Sequence, residues 1–161
     1  MNTLELEHRF EEIYGKRAEH TYFAPGRVNL IGEHTDYNGG LVFPCALSFG
    51  TYLLIAKRED RQNRFSSVNM DRSYTANANE DKPTAWIKYP IGVMKEFAER
   101  GSDVWGYDLL YYGNIPNGAG LSSSASIEVV TAVMLNDVTK VHLDMTELVK
   151  ISQKAENDYG G

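Results

Sequence analysis

Pro116-Asn117-Gly118-Ala119-Gly120-Leu121-Ser122-Ser123-Ser124-Ala125-Ser126 runs directly into Ile127-Glu128-Val129-Val130-Thr131-Ala132-Val133-Met134-Leu135. A proline and two glycines where the backbone must turn, three serines and then an apolar run read as a loop that starts a buried helix. The first turn of such a helix presents unpaired N–H groups and the positive end of the helix dipole. That makes an anion site, and serine hydroxyls within reach of a metal favour nucleotide phosphates. No lysine precedes the serines, so the loop is not G-x-x-x-x-G-K-[ST]. Leu121, Ser122 and Ser123 after Gly120 also exclude G-x-G-x-x-G. On composition alone, the alternative is a Gly/Ser loop that merely opens a core helix.

A second segment favours the phosphate reading. Between Ala24 and Gly40 the chain packs Arg27, Asn29, Glu33, His34 and Asp36 among turn residues. Side chains of this kind suit a hydroxyl-rich ligand: carboxylates accept from sugar hydroxyls, and Arg27 neutralises developing negative charge. His34-x-Asp36 as part of a metal site is a weaker alternative, since no further His or Cys lies nearby. A solvated polar turn explains any one of these residues better than it explains the whole cluster.

Taken together, the two segments resemble a known family. Gly26-Arg27-Val28-Asn29-Leu30-Ile31-Gly32-Glu33-His34-Thr35-Asp36-Tyr37 resembles the galactokinase signature, and Pro116–Ser126 resembles the phosphate loop of the GHMP kinase superfamily. Their order and separation match, as does Ala155-Glu156-Asn157, so the resemblance runs from about Thr21 to Asn157. It implies that Glu33, His34, Thr35 and Asp36 hold the hydroxyls of galactose, and that Arg27 stabilises charge beside the reacting hydroxyl. It implies that Gly118, Ala119, Gly120, Leu121, Ser122, Ser123 and Ser124 wrap the phosphates of ATP, with Ser67 and Trp86 as further nucleotide contacts. Ser124 and Glu156 are implied as the residues that hold Mg²⁺. Without the resemblance, Glu156 reads as an exposed helix residue and Trp86 as core packing.

The reaction implied is transfer of the γ-phosphoryl of ATP to the anomeric hydroxyl of α-D-galactose. Phosphorylation of N-acetylgalactosamine or a related sugar, and non-catalytic sensing of galactose and ATP, are the alternatives. Galactokinases continue past the metal glutamate to a Gly-Ile-Met-Asp segment with the catalytic aspartate, and then to a second domain. Here Gly160-Gly161 follow Asp158-Tyr159. The resemblance therefore implies that residues 1–161 are the N-terminal galactose- and ATP-binding domain, inactive alone and prone to self-association, of an enzyme monomeric at full length.

Composition agrees with one folded domain. Hydrophobic residues at 42% and charged residues at 24% exclude disorder and allow a substantial core in 161 residues. A net charge of −6 with no basic run argues against a nucleic-acid surface. Cys45 is the single cysteine; it has no internal disulfide partner and fits a cytoplasmic location. No n-region or h-region opens the chain, and no apolar run approaches the roughly 18 residues of a membrane span, so no signal peptide or membrane segment is expected.

The spacing of apolar residues predicts a helix over Thr3–Tyr14 ended by Gly15, and strands at Thr21–Ala24, Leu41–Ala46, Thr51–Lys57 and Tyr107–Tyr112. Arg64–Asn69 is a weaker strand, and the polar stretch from there to Lys82 has no clear period. Trp86, Pro90, Val93, Met94 and Phe97 have helical spacing, with Pro90 kinking that helix or marking its start. Lys88, Lys95 and Glu96 form its solvated edge. A last helix opens at Asp144 with Glu147 as a capping-box partner, buries Leu148, Ile151, Ser152 and Ala155, and puts Glu156 on the adjacent flank. The mixture predicts an α+β fold, one mixed sheet with packed helices. The resemblance implies the same architecture, like the second domain of ribosomal protein S5.

Overall fold

The computed structural model describes residues 1–25, 49–77, 83, 85–114 and 123–160. Helix α1, Thr3–Tyr14, starts at a full capping box: Asn2 accepts from the Glu5 N–H at 2.8 Å, and the Glu5 carboxylate accepts from the Asn2 N–H at 2.9 Å. Gly15 ends it in the left-handed region at φ 73°, where a residue without Cβ is unstrained. Strands β1 (His20–Pro25), β2 (Gly50–Lys57), β3 (Gln62–Ser67), β4 (Met70–Asn77) and β5 (Tyr107–Gly113) form one sheet in the order β1-β2-β5-β3-β4. Its pairs are antiparallel except β3 with β5, which is parallel.

The pleat sorts the two faces. Leu54, Ala56 and Leu110 point to α1 and pack on Leu6 and Phe10. Their neighbours Leu53, Ile55, Leu109 and Tyr111 point the other way, into the main core. That core is shared with α2 (Lys88–Glu99), α3 (Ser123–Thr139) and α4 (Met145–Ala155). α3 lies against β1 and β2 and touches both α2 and α4. It is apolar on most sides, as a helix held between a sheet and other helices must be. No helix among the described residues is long and apolar enough to cross a membrane.

Most predicted elements are present within a residue or two, and the α+β architecture with a mixed sheet stands. Asp144 caps α4, its carboxylate accepting from the Glu147 N–H at 2.9 Å. Pro90 sits in the first turn of α2, after a 3₁₀ turn at Ala85–Ile87, where the missing N–H breaks no helical bond. Two expectations are corrected. The polar stretch after residue 69 contains β4, an edge strand in which Ala76 is the only fully buried residue among those whose burial is described. Glu96 is not part of a solvated edge: it is 4% exposed, and Lys154 of α4 closes on it at 3.0 Å. The predicted strand Leu41–Ala46 lies outside the described residues.

Candidate active site

One end of the sheet gathers the chain exits that matter. β1 leaves it at Pro25, directly before the Arg27–Asp36 cluster, and Pro25 pairs with Gly50 at the start of β2. Only glycine fits there, because a Cβ on Gly50 would overlap the carbonyl of Ala24. β5 runs against β2, so Gly113 pairs with Thr51 and falls at the same end. Asn114, just before the predicted phosphate loop, is tied to Gly50 in both directions: its N–H donates to the Gly50 carbonyl at 3.1 Å, and its Oδ1 accepts from the Gly50 N–H at 2.7 Å.

Ser67 ends β3 at this edge too, opposite Tyr111. Its hydroxyl accepts from the Asn69 N–H at 3.1 Å. The Asn69 side chain in turn brackets Gly113, donating to its carbonyl and accepting from its N–H, both at 2.9 Å. The start of α3 is fixed here by Ser126, whose hydroxyl lies 2.6 Å from that of Thr51. Ser123 and Ser124 thus stand in the first turn of a 17-residue helix. Arg27, Glu33, His34, Thr35, Asp36 and Gly118–Ser122 lie outside the described residues, as does the alternative His34-x-Asp36 metal site.

Trp86 is 8% exposed and sits edge-on against Tyr111 at 5.3 Å and Phe65 at 6.3 Å, ring centre to ring centre. Its ring is part of the core behind β3 and β5. Its Nε1 is buried with no partner among the described residues, and a buried indole N–H of this kind ordinarily has one.

Glu156 departs from the exposed helix residue that spacing alone suggests. It is half-buried and opens a π turn, Glu156–Gly160, that continues α4 and packs on α2. Wide turns of this sort gather at functional sites. Its carboxylate is in hydrogen-bonding contact with that of Glu128 on α3. Burial, followed by that bond and the charge of Glu156, pushes Glu128 up to about 9. The Oε2 atoms of both residues are buried without a partner among the described residues. Sequence reasoning missed Glu128. The available signal was a carboxylate inside an apolar run, a placement that natural chains seldom tolerate without a use for it.

A magnesium ion fits this chemistry. The donors are carboxylate and hydroxyl oxygens, which hard divalent cations prefer, and the orphaned Oε2 atoms have unused acceptor capacity. Ser124 stands one turn before Glu128 on the same side of α3. Among the described residues there is no cluster of three or more His, Cys, Asp or Glu suited to a metal. A cation held here would thus rely on water and phosphate oxygens for most of its shell, as Mg²⁺ commonly does beside a nucleotide.

Comparison with known proteins identifies the family. Residues 8–57 match the galactokinase galactose-binding signature, and residues 88–161 match the GHMP kinases N terminal domain. The chain is 50% identical over 165 residues to a galactokinase of Clostridium tetani, covering 100% of this chain and 42% of the relative. It is 52% identical over 159 residues to one of Fusobacterium nucleatum, covering 94% and 41%. The structure is similar to that of Lactococcus lactis galactokinase complexed with galactose, with a TM-score of 0.77 and 38% identity over 98% of this chain and 43% of the other. The chain thus spans about two fifths of the length of the curated relatives it matches.

Proposed function

The chain belongs to the galactokinase family of GHMP kinases, and on that premise we propose that residues 1–161 form the galactose- and ATP-binding domain of a kinase that makes galactose 1-phosphate in the cytoplasm. The observation that carries the reading is the convergence at one end of the sheet. Pro25, Ser67, Asn114 and the first turn of α3 all meet there, so the Arg27–Asp36 cluster and the 115–122 loop are both rooted on one rigid edge.

Phosphoryl transfer depends mainly on positioning and on neutralising phosphate charge. Glu33, His34, Thr35 and Asp36 hold the sugar hydroxyls, and Arg27 lies beside the anomeric oxygen and balances the charge that develops there. The amides from Gly118 to Ser124, at the positive end of α3, wrap the triphosphate. Ser67 and Trp86 contact the nucleotide from β3 and the turn before α2. Ser124 and Glu156 hold the metal, and Mg²⁺ supplies positive charge to the phosphate oxygens when bound. The likeness to a galactokinase complexed with galactose supports galactose rather than another acceptor.

The test is a coupled ADP-release assay with ATP and Mg²⁺ on residues 1–161 and on a polypeptide extended to the length of the relatives. Galactose-dependent turnover is expected only from the longer form, with binding of galactose or Mg·ATP retained by the shorter. Preference for N-acetylgalactosamine over galactose, or ligand binding with no turnover at full length, would overturn the reading.

A further inference from the structure

Glu128 stands apart from the other buried acids of this chain. Asp108 is 2% exposed and is neutralised twice, by Arg58 at 2.6 Å and Lys16 at 2.7 Å. Glu96 is met by Lys154 at 3.0 Å. Glu128 is as deeply buried, at 2% exposure, yet what it touches is another carboxylate. No lysine, arginine or histidine among the described residues forms an ion pair with Glu128 or Glu156. The nearest candidate in sequence, Lys154, is engaged by Glu96 and Asp158 instead. Two facing carboxyl groups without a cation must share a proton, whereas a divalent cation between them would let both ionise. In both, the Oε2 atom is fully buried with no partner among the described residues.

We propose that Glu128 is the second carboxylate of the divalent-cation site, acting with Glu156 and with Ser124 one turn before it on α3. This rests on the reading of Glu156 as a metal-holding residue. The two carboxylates come from different helices, so a cation between them would also tie the start of α3 to the end of α4. Glu128 is placed for this by the helix itself, one turn beyond Ser124.

The experiment titrates Mn²⁺ alone into the full chain, following free Mn²⁺ by electron paramagnetic resonance, for the wild type, Glu128→Gln and Glu156→Gln. The melting temperature of each is measured in chelator. Both variants are expected to bind Mn²⁺ about 10-fold or more weakly. Without metal, Glu128→Gln is expected to melt close to the wild type, because the amide can donate to Glu156 in place of the carboxyl. A merely structural Glu128 would give a lower melting temperature and unchanged Mn²⁺ binding. Weakening by Glu156→Gln alone overturns this proposal and leaves the reading of Glu156 intact; weakening by neither overturns both. Should Glu128→Gln not fold, Glu128→Asp retracts the carboxylate by one methylene and is judged by the same Mn²⁺ criterion.

Discussion

Thr51 and Ser126 meet hydroxyl to hydroxyl at 2.6 Å, both buried, where β2 passes the first turn of α3. The pair fixes the helix that follows the 115–122 loop to the strand that pairs with Pro25's β1. Together with the two bonds between Gly50 and Asn114, it ties β2 to the end of β5 and to the start of α3.

Breaking that contact leaves a buried hydroxyl with a lost partner. Ser126→Ala is expected to destabilise by about 1–3 kcal/mol in urea unfolding. Combined with Thr51→Val, it should cost less than the sum of the single changes, with a coupling of about 0.5 kcal/mol or more. Strict additivity would show that the two hydroxyls do not act as a pair.

Arg58 neutralises Asp108 at 2.6 Å and also grips Asp60 through two bonds of 2.8 Å. Arg58→Ala strips a buried carboxylate of one of its two cations. The expected loss is about 2–3 kcal/mol, below the cost of a wholly unpaired buried charge, because Lys16 remains at 2.7 Å. A loss under about 0.5 kcal/mol, typical of exposed ion pairs, would mean that water reaches Asp108.

Trp86 is proposed to touch nucleotide although its ring is in the core. Trp105 is also buried, so Trp105→Phe leaves Trp86 as the only indole. Its emission is expected to change on titration with Mg·ATP and to stay constant with galactose alone. No change with Mg·ATP would leave Trp86 a packing residue only, and Trp86→Ala would then show just the cost of removing a large aromatic, about 3–5 kcal/mol.

Glu156→Ala is expected to impair Mg·ATP use far more than galactose binding, since its carboxylate is assigned to the metal. Full activity of this variant at ordinary magnesium levels, in a polypeptide of the relatives' length, would remove Glu156 from the site.

Asp36→Ala leaves sugar hydroxyls without an acceptor and is expected to weaken galactose binding by about 1–3 kcal/mol per lost bond. Unchanged galactose affinity, measured by calorimetry, would put the sugar pocket elsewhere.

Local signals decided most of the frame in advance. α1 was legible because Leu6 and Phe10 repeat at helical spacing and Gly15 stops the pattern. β5 and α3 were legible because continuous burial leaves continuous apolar runs. β4 was not legible. It is an edge strand with Ala76 buried and Tyr74 half-buried, so its outer residues carry no alternation that a sequence pattern could register.

The site divides along the same line. The Arg27–Asp36 cluster and the 116–126 segment stand out by residue type, because the roles proposed for them, binding phosphate through amides and sugar through carboxylates, each demand particular residues in a short span. By itself the sequence therefore determined the family. What only the tertiary structure decided is which distant residues share an environment. Glu96 looked solvated until α4 brought Lys154 to it, and Glu128 passed unremarked within an apolar run until Glu156 at the end of α4 was set against it. Burial and pairing depend on elements far apart in sequence. A carboxylate's cost, charge and use are therefore settled only when the helices pack.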